Sequence, residues 1–341
     1  MVRPTLSILI LPIVVAISAC VAPPGVGERI GATEVHLCSI PMRAPIRATD
    51  RKAKAGFVFR WAAMSGYRRT VPDEVIDVIL DRRLVLADSC RTSDAISTSD
   101  AAIGLMAFYA TAVDRHSDEF GDAIERLRDA TDSVIDDGSG DAVAMPVVLT
   151  SALDAYGATG SVVASARAMK CARMMTSDRW FDLNCRMASP RQLERMAAWA
   201  ALAVVEIRIA GSGEPKEERL DLRLAELVFR MHREMPESAR AEMRTGLRSA
   251  ALAMLLEPGA TAVDCRVVQS IRDSVGVSTS LEEEFLLRTA AWWLGIDLPP
   301  VRELGRRADE LDSTGGSVGE AGLELLLTAI PMRLGLPCLS E

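Results

Sequence analysis

The sequence predicts an all-α protein in which helical hairpins repeat along most of the chain. The prediction rests on periodicity, on the alternation of two kinds of helix, and on composition. Beyond about residue 70, apolar residues recur at helical spacing almost throughout, and no convincing period-two alternation marks a half-buried strand. The more apolar kind of helix restarts roughly every 40 residues, within the period range of helical-hairpin repeats. The chain of 341 residues is 49% apolar and 25% charged, enough apolar content to build a core and unlike collagen or disordered chains.

The amphipathic, charged segments fall at 73–89, 118–136, 161–175, 215–235, 262–274 and 300–311. Each carries one apolar stripe and needs cover on one side only. The apolar segments fall at 99–114, 142–156, 190–210, 238–257, 281–294 and 318–334. Ala101 to Phe108, Met145 to Leu149 and Leu323 to Leu327 have little polar face, so protein must surround them. Ser189-Pro190-Arg191-Gln192 supplies an N-cap serine, a proline at the first helical position and a capping-box glutamine. Ser280 and Glu283 repeat that spacing. Gly138, Gly157, Gly211 and Gly295 stand where helices should stop, because glycine tolerates the left-handed cap conformation. Pro146 and Pro331 require two of the apolar helices to begin late or to kink. A local echo supports repetition: Gly138, Leu149, Thr150 and Gly157 recur as Gly316, Leu327, Thr328 and Gly335.

An inner layer of apolar helices wrapped by an outer layer of charged ones is the arrangement this alternation implies. Six such hairpins can close into an (α/α)6 toroid or stack as an open α-solenoid. An irregular bundle is the third possibility. The number of hairpins and the buried character of the inner set favour the toroid. That architecture resembles the toroids of terpenoid cyclases, prenyltransferases and several glycan-processing enzymes. The resemblance is architectural: the chain has no DxDD acid motif, no repeated QW motif and no metal-ligand set of the protein prenyltransferase kind.

The N-terminus has a different character. Arg3 is the only charge in the first 20 residues, an apolar run extends from Leu6 to Ile17, and small residues lead into Cys20. This is the layout of a secretory signal, and the run is too short for an ordinary spanning helix of about 20 residues. Ile17-Ser18-Ala19-Cys20 resembles the lipobox of bacterial lipoproteins. The resemblance implies cleavage before Cys20, lipidation of that cysteine, and attachment to the outer face of the cell membrane by two or three acyl chains, where two suffice for stable anchoring. The expected organisation is therefore a signal peptide at 1–19, a lipidated tether at 20–70 and an all-α body at 71–341.

Charge is unevenly distributed along that plan. The whole chain has a formal charge of −8, which argues against nucleic-acid binding. Yet Arg29, Arg43, Arg47, Arg51, Lys52, Lys54, Arg60, Arg68 and Arg69 are opposed only by Glu34 and Asp50 in the same stretch. An anionic lipid surface attracts such a segment by about 1 kcal/mol for each nearby cation. The predominance of arginine over lysine, with abundant Ala, Val and Asp, fits a GC-rich bacterium.

The chain has seven cysteines. With Cys20 assigned to lipid, Cys38, Cys90, Cys171, Cys185, Cys265 and Cys338 remain, an even set for an oxidising exterior. The expected pairs are Cys38–Cys90, Cys171–Cys185 and Cys265–Cys338, although sequence alone does not choose among the possible pairings. No CxxC spacing supports zinc or thioredoxin-like chemistry, and no metal or cofactor is expected.

Catalytic motifs are equally absent: there is no P-loop, Rossmann fingerprint, HExxH, EF-hand loop or GxSxG elbow. The histidines, His36, His116 and His232, read as tether, helix-end and outer-face residues. One enzymatic reading survives. If the inner helices run parallel, their polar first turns gather Asp100, Asp141, Glu282, Glu283 and Glu320 at one end, where paired carboxylates could hydrolyse glycosidic bonds and Trp292 and Trp293 could stack on sugar. Acids at helix starts also stabilise the macrodipole without any chemistry. The favoured expectation is a surface-anchored, non-catalytic binding or scaffold module for an envelope protein, peptide or glycan. Met169, Met174, Met175 and Met187 form a candidate adaptable patch.

Overall fold

The computed structural model describes residues 37–39, 73–111, 120–137, 142–210, 219–235, 246–256, 262–277, 280–294, 296 and 317–329. The described residues are all-α but for two short strands. In chain order they form β1 (Leu37–Ser39), α1 (Asp73–Thr92), α2 (Thr98–Ala110), α3 (Gly121–Asp137), α4 (Ala144–Thr159), α5 (Val162–Met175), α6 (Asp178–Asn184), α7 (Pro190–Ala210) and α8 (Leu220–Glu234). They continue with α9 (Gly246–Leu255), β2 (Ala262–Asp264), α10 (Cys265–Ser274), α11 (Leu281–Leu294) and α12 (Val318–Ala329).

The two helix types differ in burial as their composition requires. Every residue of α2 from Ala101 to Ala110 is buried, as is every residue of α7 from Met196 to Glu206. In α8, by contrast, Leu220, Leu224, Leu227, Val228 and Met231 form the buried stripe at three- and four-residue spacing, with charged residues between them. Among the buried helices, α4 packs on α2, α7 on α4, α9 on α7, α11 on α9, and α12 on both α11 and α2. The amphipathic helices lie against them: α1 on α12, α3 on α2, α5 on α4, α8 on α7, and α10 on α9 and α11.

Aromatic and cationic side chains lock these contacts. Trp199 of α7 and Phe285 of α11 stack with ring centroids 5.7 Å apart, and both are buried. Arg83 of α1 donates to the carbonyls of Phe108 (3.0 Å) and Thr111 (2.9 Å) and lies over the Phe120 ring at 4.5 Å. A cation thereby satisfies the open carbonyls at the C-terminal end of α2, where the dipole favours it. Arg208 does the same for α9, donating to the carbonyls of Leu255 and Leu256 at 2.8 Å each.

Small residues set the closest helix approaches. A Cβ placed on Gly322 of α12 would lie 3.3 Å from the Gly104 backbone of α2. One placed on Gly319 would lie 2.0 Å from an Asp100 carboxylate oxygen, and one on Gly246 would lie 2.4 Å from Ser274 Cβ.

Several local expectations hold. Ser189 and Gln192 form the reciprocal capping box, with Gln192 N–H donating to Ser189 Oγ and Ser189 N–H to Gln192 Oε1. Pro146 sits in the first turn of α4, where its missing N–H has no helical partner to lose. Other expectations are corrected. α4 runs through Gly157 and stops at Gly160, which adopts the left-handed cap at φ 65°. Residues 262–264 are a strand, not the first turn of a helix, and pair antiparallel with β1 in the register Leu37 to Asp264, Cys38 to Val263 and Ser39 to Ala262. α10 starts only after Asp264, whose side chain accepts from Arg266 N–H and caps it. The segment 300–311, His36, His116, Pro331, Gly138, Gly211 and Gly295 lie outside the described residues.

Candidate functional site

The described starts of the apolar helices come together in pairs. Asp100 in the first turn of α2 lies against Gly319 in the first turn of α12. The beginning of α7 likewise meets the beginning of α11 through Arg195 and Glu282. Charged residues stand on the inner helices, some in the first two turns and some in the middle: Glu194 and Arg195 on α7, Arg248 on α9, Glu282, Glu284 and Arg288 on α11, and Glu324 on α12. Most of them are removed from water, and Glu194 and Arg288 are 2% and 3% exposed.

The geometry of the candidate acids is specific. Glu282 is gripped at both oxygens. Arg195 Nε donates to Oε1 at 3.0 Å, the Arg195 guanidinium donates to Oε2 at 2.5 Å, and Trp199 Nε1–H donates to Oε1 at 2.7 Å. A bidentate arginine is among the stronger ways to hold a carboxylate, and the indole needs an acceptor because it is buried. Glu284 accepts from Arg288 Nε at 2.6 Å and from Gly276 N–H at 2.9 Å, tying α11 to the turn after α10. Glu320 completes a capping box at the start of α12, accepting from Ser317 N–H at 3.0 Å while its own N–H donates to Ser317 Oγ. Glu283 N–H donates to Ser280 Oγ at the start of α11. Glu324 of α12 lies 3.4 Å from Arg82 of α1.

The structure therefore brings Asp100, Glu282, Glu283 and Glu320 to helix starts, as the spacing predicted, but gives the carboxylates of Glu282 and Glu320 structural partners. Asp100 is half-buried beside α12, and its backbone N–H is capped by Ser97 Oγ. Asp141 lies outside the described residues. Trp293 is buried and donates to the Leu256 carbonyl, and Trp292 packs against the core, so neither stands as a sugar platform. Sequence reasoning passed over Arg195, Glu194, Glu206, Arg248 and Arg288. The signal was present, since a charge in the middle of an apolar helix must find a partner or destabilise it.

Removing the Glu282 carboxylate is expected to lower stability without any effect specific to chemistry. Glu282→Leu leaves the buried Trp199 N–H without its acceptor and should cost about 1–2 kcal/mol in urea unfolding. Glu282→Gln keeps an acceptor and should cost less. Equal costs would show that the indole bond contributes little.

The cysteines differ from expectation. Cys90, Cys171 and Cys185 are buried free thiols, so the Cys38–Cys90 and Cys171–Cys185 pairs are not formed. Desolvation pushes Cys90 and Cys171 up to about 11 and Cys185 up to about 12. They stay protonated at neutral pH and behave as small apolar side chains, which explains their tolerance in the core. Cys265 is disulfide-bonded. Cys20 and Cys338 lie outside the described residues. The methionine patch is mainly core: Met175 is fully buried, Met169 and Met174 pack against the core, and only Met187 is exposed.

His232 is the other residue the sequence misplaced. It lies on α8, expected to turn its charged face outward, yet it is only 7% exposed. Neither ring nitrogen has a hydrogen-bond partner. Burial first, and the nearby Arg248 guanidinium second, push its pKa down to about 3.

Among the described residues, no group of His, Cys, Asp and Glu could hold a metal ion, and no helix is long and apolar enough to cross a membrane. Comparison of the chain with protein-family models, curated proteins and solved structures gave no match.

Proposed function

We propose that the protein is a surface-anchored lipoprotein of the bacterial cell envelope, whose body is a non-catalytic binding or scaffold module. One observation carries the non-catalytic part. Two of the candidate acids are already in use: Glu282 is held by Arg195 and Trp199, and Glu320 by its own cap, while the neighbouring Glu284 is held by Arg288 and Gly276. The Glu282 carboxylate is committed at both oxygens to holding α7 against α11. The anchoring part rests on the lipobox-like Ile17-Ser18-Ala19-Cys20 and on the basic run from Arg29 to Arg69, which suits an anionic lipid surface.

The architecture that goes with this reading is an (α/α)6 toroid. It is supported by the order of helix packing, in which α2, α4, α7, α9, α11 and α12 follow one another and α12 meets α2 again. It is supported too by the approach of helix N-terminal regions at Asp100 with Gly319 and at Arg195, in the second turn of α7, with Glu282. In such a ring the inner helices, with the Trp199 and Phe285 rings in contact between α7 and α11, are buried, which leaves the outer helices and the loops to meet a partner: an envelope protein, a peptide or a glycan.

Growth with an alkyne-tagged fatty acid tests the anchor. Wild-type protein should take up the label and partition into detergent, and Cys20→Ser should lose both properties. An unmodified Cys20 in membrane-extracted protein overturns the anchor. Turnover of envelope polysaccharide by purified protein, abolished by Asp100→Asn, overturns the non-catalytic assignment.

A further inference from the structure

We infer that Cys265 is disulfide-bonded to Cys38, so that the segment following the proposed anchor is cross-linked to the helical body at the start of α10. Cys265 is engaged in a disulfide, while Cys90, Cys171 and Cys185 are free. Its partner therefore comes from Cys20, Cys38 and Cys338. Setting Cys20 aside rests on the lipid anchor proposed above.

Backbone register selects Cys38. β1 and β2 are antiparallel neighbours, with Cys38 directly opposite Val263. Cys265 follows two residues after Val263, directly beyond the end of β2, where it opens α10 within two residues of the ladder position facing Cys38. Diagonal neighbours sit about 7–8 Å apart at the backbone and closer at Cβ. A disulfide spans Cα separations of about 4–7 Å, slightly less than a regular ladder's diagonal, so bonding requires the chain to bend toward β1 after Val263. At Asp264 the chain leaves the strand and turns into α10, and α10 itself packs on β1. That corner is held firmly. The Asp264 carboxylate accepts from Arg266 N–H at 2.9 Å and from the Arg266 side chain at 2.6–3.1 Å.

The pairing also gives the isolated ladder a reason to persist. A two-stranded ribbon of this length is marginal in water by itself. A covalent bond beside it removes the freedom of the two strands to part. Forming the bond converts two thiols into one disulfide and releases two protons and two electrons. A protein disulfide of the oxidising exterior takes up both electrons by exchange and leaves as a dithiol. With Cys20 in the membrane, the stretch from Cys20 to Cys38 then limits the body to within about 60 Å of the lipid surface.

The experiment uses full-length protein extracted from the envelope in detergent, with free thiols alkylated before tryptic digestion under non-reducing conditions. The expected product links the peptide 30–43, which carries Cys38, to the peptide 249–266, which carries Cys265. Cys338→Ser should retain that product, and Cys265→Ser should leave Cys38 alkylated. Recovery of Cys265 in alkylated form, or linked to the Cys338 or Cys20 peptide, overturns the inference. The two proposals separate in the same digest. A lipidated Cys20 with Cys265 bound to Cys338 sinks the cross-link alone, whereas a bare Cys20 with the 38–265 link intact sinks the anchor alone.

Discussion

Replacing Gly246 with alanine is expected to lower stability by about 2–3 kcal/mol, as overpacking of a dense interface does. Gly246 opens α9 at the point where that helix approaches α10 and α11 most closely. The added Cβ would meet Ser274 Cβ at 2.4 Å, Ser274 Oγ at 2.5 Å and Leu287 Cδ2 at 2.5 Å. Real carbon atoms do not approach so closely, and these neighbours have little room to yield. Leu287 is fully buried, and Ser274 Oγ is bonded to the Ser270 carbonyl at 2.7 Å. Relief therefore requires α9 to move away from both helices, which opens space along the buried faces of Leu247, Ala250 and Ala251. The intrinsic helical preference of alanine over glycine, about 1 kcal/mol, offsets only part of this. Gly121, at the start of α3, is the control, because an added Cβ there meets nothing within 4 Å. Gly121→Ala should leave the urea midpoint unchanged or raise it slightly. If the two variants unfolded at the same midpoint, the close approach of α9 to its neighbours would be wrong.

These two glycines show why some of the structure could be read from the chain and some could not. Whether Gly246 touches Ser274 and Leu287 depends on residues well downstream, and no local pattern encodes that contact. Helix type and position were legible because burial follows local composition: the run from Ala101 to Ala110 has no polar face to give to water, and all of it is buried. The Ser189–Gln192 cap was legible for the same reason, since its hydrogen bonds join residues three apart. The strand at Ala262–Asp264 was not. Three residues are too few to show period-two alternation, and what makes them a strand is the distant Leu37–Ser39. The acids were found at helix starts but assigned too open a role. Glu282 owes its state to Arg195 and Trp199 on another helix, and helical spacing within α11 carries no trace of them. The thiols were paired by counting, which assumes that an even number must be oxidised. Cys171 and Cys185 instead occupy buried positions that any small apolar residue could fill.

His232 should make the fold sensitive to mild acid. In the unfolded chain its imidazole titrates near the ordinary value of about 6.5. In the folded protein, burial beside Arg248 holds it neutral down to about pH 3. Between those values the unfolded state carries a proton that the folded state does not. Stability must then fall as pH falls below about 6.5, by roughly tenfold in the folding constant for each unit, and the loss levels off only below the folded-state value. Carboxylates begin to titrate near pH 4 and add slopes of their own, so the informative window is pH 7 to 4.5. Within it, His232→Leu should remove about one proton from the pH dependence. The variant should match or exceed wild type at pH 7, because leucine fills the site without two unsatisfied ring nitrogens. At pH 4.5 it should be more stable by about a hundredfold in the folding constant. Urea unfolding at closely spaced pH values measures this directly. Parallel curves for the two proteins would mean that His232 is protonated in the folded state, and that the site on α8 admits water or an anionic partner.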